Sequence, residues 1–402
     1  MAKEAYIVDG IRTAIGSFGG TLASIRTDDL GAIVIKELMN RNPRFDPKLI
    51  EDVLFGCANQ AGEDNRNVAR MSGLLAGLPW QVGGETINRL CASGMASTIN
   101  ASRAIKDGAG DIYISGGVEN MTRGPWVISK VSKPFGRDAQ MHDSSFGWRF
   151  INPRMEDMYG VDGMGNTAEN LVEKYGIERE AQDKFALWSQ EKATAAIKSG
   201  RFLEEIVHVK IPQRRKDDLI FNTDEFVRQD STIETLSGLR AAFKKNGSVT
   251  AGNSSGLNDG AAALLIASED AVKGHNMKPL ARIVGAAVTG VEPRFMGIGP
   301  VYASQKVLER TGLTLNQMDI IELNEAFAAQ VLACTRKMGL ADNDSRINPN
   351  GGAIALGHPL GVTGARILHT AAIELKKTNK RYALVTMCIG VGQGYATIIE
   401  RA

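Results

Sequence analysis

The sequence has no long apolar run. None approaches the ~20 residues a membrane-spanning helix needs; the longest obvious one is Ala261–Ala267. There is no strong charge of one sign either. Forty-seven basic residues against 45 acidic ones leave a formal charge of +2, which gives no global field for nucleic acid, although a local basic patch could still hold a phosphorylated ligand. Metal-site patterns are missing. The four cysteines, Cys57, Cys91, Cys334 and Cys388, include no CxxC pair, and the five histidines form no HExxH, so no metal site is expected. The start of the chain has no signal-type apolar segment and no Arg-rich transit character, so the expected compartment is the cytoplasm.

What the chain has in excess is glycine: 44 of 402 residues, against a usual ~7%. There is no collagen-type period, so these glycines are expected at tight turns and close backbone approaches. At roughly 150 residues per domain, the length points to two or three units.

Short apolar runs alternate with helix-like stretches. The runs are Ala5–Val8, Asp52–Phe55, Asp111–Ser115, Ala261–Ala267, Leu280–Val284, Ile320–Leu323, Tyr382–Met387 and Tyr395–Ile399. Helices are expected over Asp28–Asn40, Ala92–Lys106, Arg179–Ser199, Val301–Arg310, Ala326–Met338 and Gly364–Lys376. Alternation of this kind implies a layered α/β fold. A weak repeat relates Phe45–Phe55 to Leu313–Leu323. Each copy ends in Asp and a buried-type strand, and each is followed by a Gly-rich turn opening a helix, at Cys91–Gly94 and Gly357–Gly361. Each half then has a strand expected to end in a Gly-rich turn, Ile114–Gly117 and Met387–Gly390. The segment 122–249 is more polar and reads as an insertion. The expected units are therefore 1–121 with 250–272, the insertion 122–249, and 273–402.

Four motifs can carry chemistry. Cys91 sits at a turn just before a helix, where unpaired N–H groups and the helix dipole favour thiolate. It is a candidate nucleophile, or a small residue packed under the helix. His358 lies in the glycine-dense Gly351–Gly361 and could be a base, an oxyanion donor or a structural histidine. Cys388 ends a strand beside the flexible Gly390-Val391-Gly392, a plausible acid/base position. Asn324, in Leu323-Asn324-Glu325-Ala326-Phe327, could cap a helix or orient a water.

Together these blocks, with Ala251–Gly260, resemble the thiolase family in order and spacing over essentially the whole chain. The resemblance implies a five-layered α-β-α-β-α fold of two similar halves with an inserted loop domain. It implies that Cys91 carries the acyl group and that His358 activates it. Asn324, through a water, would share a first oxyanion hole with His358. Cys388 would be the acid/base, and the N–H groups of Cys91 and Gly390 would form a second hole. Coenzyme A would be a substrate, with no tightly bound cofactor, held by Met164, Arg228, Phe243, Ser255, Ala326 and Phe327. The resemblance also implies a homodimer or homotetramer.

Short-chain biosynthetic members carry His before the Met-Gly that matches Met164-Gly165, whereas this chain has Gly163. That departure points away from acetoacetyl-CoA as the main substrate. Segments Gly56–Met71 and Ser145–Pro153, with Tyr159–Asp162, resemble members acting on 3-oxoadipyl-CoA, although Gly163–Asn166 departs from their pattern. A distal carboxylate taken out of water needs a cation, and Arg149 or Arg66 is the candidate. The expected reaction is cleavage of 3-oxoadipyl-CoA to succinyl-CoA and acetyl-CoA. The near alternative is a general acetyl-CoA acetyltransferase or 3-ketoacyl-CoA thiolase. A decarboxylating ketoacyl synthase would lack Cys388, a papain-like hydrolase would not need two glycine-rich half repeats, and a noncatalytic binding protein would not need both Cys91 and His358.

Overall fold

The computed structural model describes residues 3–402. Nine strands form the spine of an 11-stranded sheet: β1 (Ala5–Thr13), β2 (Asp52–Gly56), β3 (Glu85–Ile87), β4 (Ile112–Asn120), β5 (Asn258–Ser268), β6 (Ala281–Gly290), β7 (Ile320–Leu323), β8 (Tyr382–Ile389) and β9 (Gln393–Arg401). Their order is β7-β8-β9-β6-β1-β5-β4-β2-β3. Within it the repeat is explicit. β1 pairs antiparallel with β5, β5 antiparallel with β4, and β4 parallel with β2. In the second half β6 pairs antiparallel with β9, β9 antiparallel with β8, and β8 parallel with β7. Even the one-residue register shift recurs, between Ile7 and Asp9 in β1 and between Ile283 and Gly285 in β6. The two half-sheets meet through a short ladder, Tyr6 opposite Arg282 and Ile7 opposite Ala281.

The main helices are α1 (Thr27–Arg41), α2 (Ser93–Asp107), α3 (Met164–Tyr175), α4 (Arg179–Lys198), α5 (Gly299–Thr311), α6 (Ala328–Lys337) and α7 (Leu360–Lys377). Helices α2 and α7 pack against each other and share one core with both half-sheets, including Met95, Ile99, Leu264, Ile266, Leu368, Ala371, Val385 and Ile399. Helix α1 covers the outer face of the first half, and α5 and α6 cover that of the second. The result is the five-layered α-β-α-β-α fold of two similar halves. A helix buried on every side belongs in a central layer, and α7 meets that description, with nearly all of its residues buried.

The glycines serve this central packing. A methyl group on Gly94 of α2 would lie 2.6 Å from the carbonyl oxygen of Gly361, and one on Gly117 of β4 would overlap the same oxygen. This corrects the expectation that Ile114–Gly117 ends its strand. The strand runs on to Asn120, and Gly116 and Gly117 lie within it because backbone passes too close for side chains, that of β5 at Ala262 against Gly116 and that of α7 at Gly361 against Gly117. Helix α7 likewise starts at Leu360, a turn earlier than expected, with Pro359 at its N-cap; proline's fixed φ suits that entry.

Between β4 and β5 the chain adds α3, α4 and short hairpins. This insertion is tied to β1 by a buried charge cluster. Arg12 donates to both carboxylate oxygens of Asp224, at 2.7 and 3.0 Å, and to Glu205 at 3.3 Å. Removing one partner of such a cluster costs about 3–5 kcal/mol, because the other charge is left buried and unpaired.

Candidate active site

The sequence expectation brings Cys91, His358, Cys388 and Asn324 to the ends of four different elements. Cys91 lies in a single 3₁₀ turn, Leu90–Ala92, that runs into α2. Leu90 is held in the left-handed region, φ 47°, an unusual conformation for a bulky residue. It is fixed there by Asn88 Oδ1, which accepts from Leu90 N at 2.9 Å, and by Ser93 Oγ, which donates to Leu90 O at 2.7 Å. The Cys91 thiol faces its own N–H and that of Gly390. Val391, next in chain, is also left-handed at φ 62°. Backbone strain therefore flanks the cysteine on both sides of the site.

Helix-terminal placement was expected to lower the Cys91 pKa. The structure reverses this: burial is the largest influence and pushes the thiol up, against the two N–H groups that lower it. To act as the expected nucleophile, Cys91 would need a base. Cys388, next to last in β8, is 1% exposed. Burial, then the proximity of Cys91, holds it well above the ordinary thiol range. It rests as a thiol, a proton donor.

His358 is buried, and its pKa is pushed down to about 3 by burial first and the Arg366 charge second. The ring is neutral. Its Nδ1 lies 2.7 Å from Thr363 Oγ1, and that hydroxyl donates to Pro359 O at 3.0 Å. With the hydroxyl proton spent, Nδ1 must donate and Nε2 keeps its lone pair. Nε2 lies 3.4 Å from Asn324 Nδ2, while Asn324 Oδ1 is buried with no protein partner. The backbone N–H of His358 donates to Asn258 Oδ1 at 2.9 Å. Glu119 accepts from the N–H groups of Ala58, Asn59 and Gly361 at 2.8–2.9 Å, so one carboxylate joins the loop after β2 to the start of α7. Burial still raises its pKa to about 7. Glu325 accepts from Ser189 Oγ, Asn348 Nδ2 and Ile354 N, pinning the turn that carries Asn324.

Sequence reasoning named none of Thr363, Asn258 and Glu119 as functional. Thr363 had a local signal, a hydroxyl five residues after the histidine in the turn that opens α7. Glu119 had none, since one of its partners is 242 residues away.

The expected CoA residues form a connected strip. Phe243 lies over Gly165 and meets Phe327 edge-on, with ring centroids 6.1 Å apart. Ser255 N donates to Ala326 O at 2.9 Å. Met164 Sδ would lie 3.7 Å from a methyl on Gly390, which joins the strip to Cys91. Arg228 is exposed and lines a surface depression of about 610 Å³ with Leu236 and Leu239, and those two leucines also flank Gly252.

Of the two expected carboxylate partners, only Arg149 is engaged within the protein. Arg149 lies near Asp64 and donates to Ser144 O at 3.4 Å. Arg66 is an exposed residue in a left-handed conformation, φ 68°. Cys57 and Cys334 are fully buried. Cys57 lies with Asp64 and Glu119 in a group whose ligand-type atoms are within 4.8 Å of one another. The thiol already donates to Asn59 O at 2.7 Å, and Glu119 already holds three N–H groups.

Two family models match the chain, the thiolase N-terminal domain over residues 5–270 and the thiolase C-terminal domain over residues 277–401. The chain belongs to the thiolase family. It is 56% identical over 399 residues to a beta-ketoadipyl-CoA thiolase of Acinetobacter baylyi, covering 99% of this chain and 100% of the relative. It is equally identical, over the same shares, to the 3-oxoadipyl-CoA/3-oxo-5,6-dehydrosuberyl-CoA thiolase of Escherichia coli. The acetyl-CoA acetyltransferase of Bacillus anthracis superposes with a TM-score of 0.92 at 40% identity, over 100% of this chain and 99% of that one. This thiolase is thus an acyltransferase, and Cys91 of the first half lies close to Cys388 and Gly390 of the second.

Proposed function

We propose that this thiolase cleaves 3-oxoadipyl-CoA with CoA, giving succinyl-CoA and acetyl-CoA through an acyl-enzyme on Cys91. Supporting the substrate is full-length similarity to relatives named for that compound. The observation that carries the chemistry is a buried thiol pair, Cys91 and Cys388, together with a neutral histidine whose tautomer leaves a lone pair on Nε2 to accept a proton.

His358 Nε2 takes the Cys91 proton, and the thiolate attacks the 3-keto carbon. The C2–C3 bond breaks, and its electron pair becomes the enolate of acetyl-CoA. Cys388 donates its proton to the enolate carbon. Before that transfer the enolate oxygen is held by the His358 N–H and a water on Asn324, whose buried Oδ1 has no protein partner. Each such donor is worth roughly 3–4 kcal/mol. The Cys388 thiolate then takes the proton of incoming CoA. The CoA sulfur attacks the succinyl thioester, whose oxyanion rests on the N–H groups of Cys91 and Gly390. Cys91 leaves and recovers its proton from His358. Atoms balance, and the kinetics are ping-pong.

In this reading CoA is a substrate and no cofactor stays bound. The insertion 122–249 lays Met164, Arg228 and Phe243 along the CoA path, Ser255 joins them from the segment that follows, and Ala326 and Phe327 join from the second half. The edge strand β3 and the exposed Trp126, Ile128 and Met141 fit a homodimer or homotetramer. No helix among the described residues is long and apolar enough to cross a membrane, and the proposed compartment is the cytoplasm. The test is CoA-dependent cleavage of 3-oxoadipyl-CoA, acetoacetyl-CoA and a medium-chain 3-oxoacyl-CoA, beside Cys91→Ala. Selective release of succinyl-CoA and acetyl-CoA, lost in the variant, supports the proposal. Equal or better turnover of the neutral substrates replaces it with a general 3-ketoacyl-CoA thiolase.

A further inference from the structure

Arg294 sits on a segment locked to the active-site loop. Val291 N donates to Gly392 O at 2.8 Å, and a methyl on Gly392 would lie 2.8 Å from Pro293 Cα. Gly392 is two residues from Gly390, whose N–H faces the Cys91 thiol. From the other side, Asp162 lies two residues before Met164, which also borders Gly390. Asn170 Nδ2 donates to both Asp162 Oδ2, at 2.8 Å, and Arg294 O, at 3.0 Å. The arginine is thereby held between two segments that both reach the reacting cysteine.

Its guanidinium is about half exposed. The ionic neighbour, Asp162 Oδ2, is 3.6 Å away, too far for a hydrogen bond, and no described residue accepts one from it. The surroundings are otherwise cationic and aromatic. Lys174 Nζ lies 3.8 Å and Arg294 Cζ 6.0 Å from the Phe295 ring centre, and the Trp148 indole donates to Asp162 O at 3.3 Å. By contrast Arg89, two residues from Cys91, is engaged by Gln393 Oε1 at 3.2 Å and by the Tyr395 face. A guanidinium with an open planar fork is suited to bidentate capture of a carboxylate.

We propose that Arg294 receives the distal carboxylate of the dicarboxylic acyl chain carried on Cys91, in place of the Arg149 or Arg66 that the sequence pointed to. The assignment rests on the diacid reading above and adds the group that selects for it. The test compares kcat/KM for 3-oxoadipyl-CoA and acetoacetyl-CoA in the wild type, Arg294→Ser, Arg294→Lys and Arg149→Ala. Arg294→Ser is expected to lower the diacid-to-acetoacetyl ratio about 10- to 100-fold, the range for a lost charge-assisted hydrogen bond. Arg294→Lys, which keeps the charge and loses the fork, falls between. Arg149→Ala leaves the ratio near that of the wild type. An unchanged ratio in Arg294→Ser, or a larger fall in Arg149→Ala, overturns the assignment while leaving the diacid reading intact. A wild type with no preference for the diacid overturns both.

Discussion

Thr363 Oγ1 lies 2.7 Å from His358 Nδ1 and donates its own hydrogen bond to Pro359 O. One hydroxyl thereby decides which ring nitrogen faces the chemistry. In Thr363→Val the shape is kept and the acceptor is lost, so the imidazole is no longer confined to the tautomer with Nε2 free. We expect kcat to fall about 10- to 100-fold, a part of what acid–base catalysis supplies, with little change in KM for CoA. Thr363→Ser should restore most of the rate. A parallel loss in the valine and serine variants would mark Thr363 as a packing residue.

In the proposed mechanism Cys388 separates two half-reactions: protonation of the enolate carbon would need its thiol, whereas exchange of CoA with an acyl group already on Cys91 would be assisted more weakly. Cys388→Ser should lower C–C cleavage by about 100-fold or more while retaining measurable exchange of labelled CoA into acetyl-CoA. Cys91→Ala should abolish both. A serine variant with normal cleavage would remove Cys388 from the mechanism.

The fold was legible where burial writes itself as pattern. Ala261–Ala267 reads as a short apolar run, and it lies within β5, every residue of which is buried. The paired Asp-strand segments announced the two halves because each half repeats the same ladder. Cys91, His358 and Cys388 stood out because glycine-dense turns surround them. Other features depend on partners distant in sequence. Asn258 reaches the His358 backbone across 100 residues, and Glu119 reaches Gly361 across 242. The left-handed Leu90 and Val391 have no composition signal, since neither residue type favours that conformation. The Cys91 ionisation was misread because a helix terminus is visible in sequence and desolvation is not. Gly116-Gly117 was taken for a turn because the crowding of these glycines by β5 and α7 is a tertiary fact.

That crowding gives a stability prediction. A methyl on Gly117 would overlap Gly361 O and also approach Gly56 O at 2.7 Å. Both partners are backbone, which cannot swing away as a side chain could. Gly117→Ala should therefore destabilise the protein by about 3 kcal/mol, at the upper end for overpacking, and be seen as a lowered thermal midpoint or insoluble protein. Gly108→Ala is the comparison: that glycine is in the left-handed region, φ 80°, with open space around its α-carbon. It should cost about 1 kcal/mol. A loss at Gly117 no larger than that at Gly108 would show that the backbone around Gly117 gives way to the added methyl, and would overturn the crowding argument.

The buried His358 links acid to unfolding. Its pKa is about 3 in the folded protein against 6.5 for the free group. As pH falls through 6.5 the unfolded chain takes up a proton that the folded protein refuses, so the histidine's contribution is present above 6.5 and is lost progressively down to about 3. Between pH 7 and pH 5 the loss is about 2 kcal/mol from this residue alone. His369, also buried with a lowered pKa, acts in the same direction. Glu119, raised to about 7, acts in the opposite one, so the wild-type profile is a sum. The comparison that isolates His358 is His358→Gln, which does not titrate. The difference in unfolding free energy between wild type and variant should move by about 2 kcal/mol in the variant's favour from pH 7 to pH 5. A difference that stays constant over that interval would mean that His358 is solvated and titrates as a free imidazole.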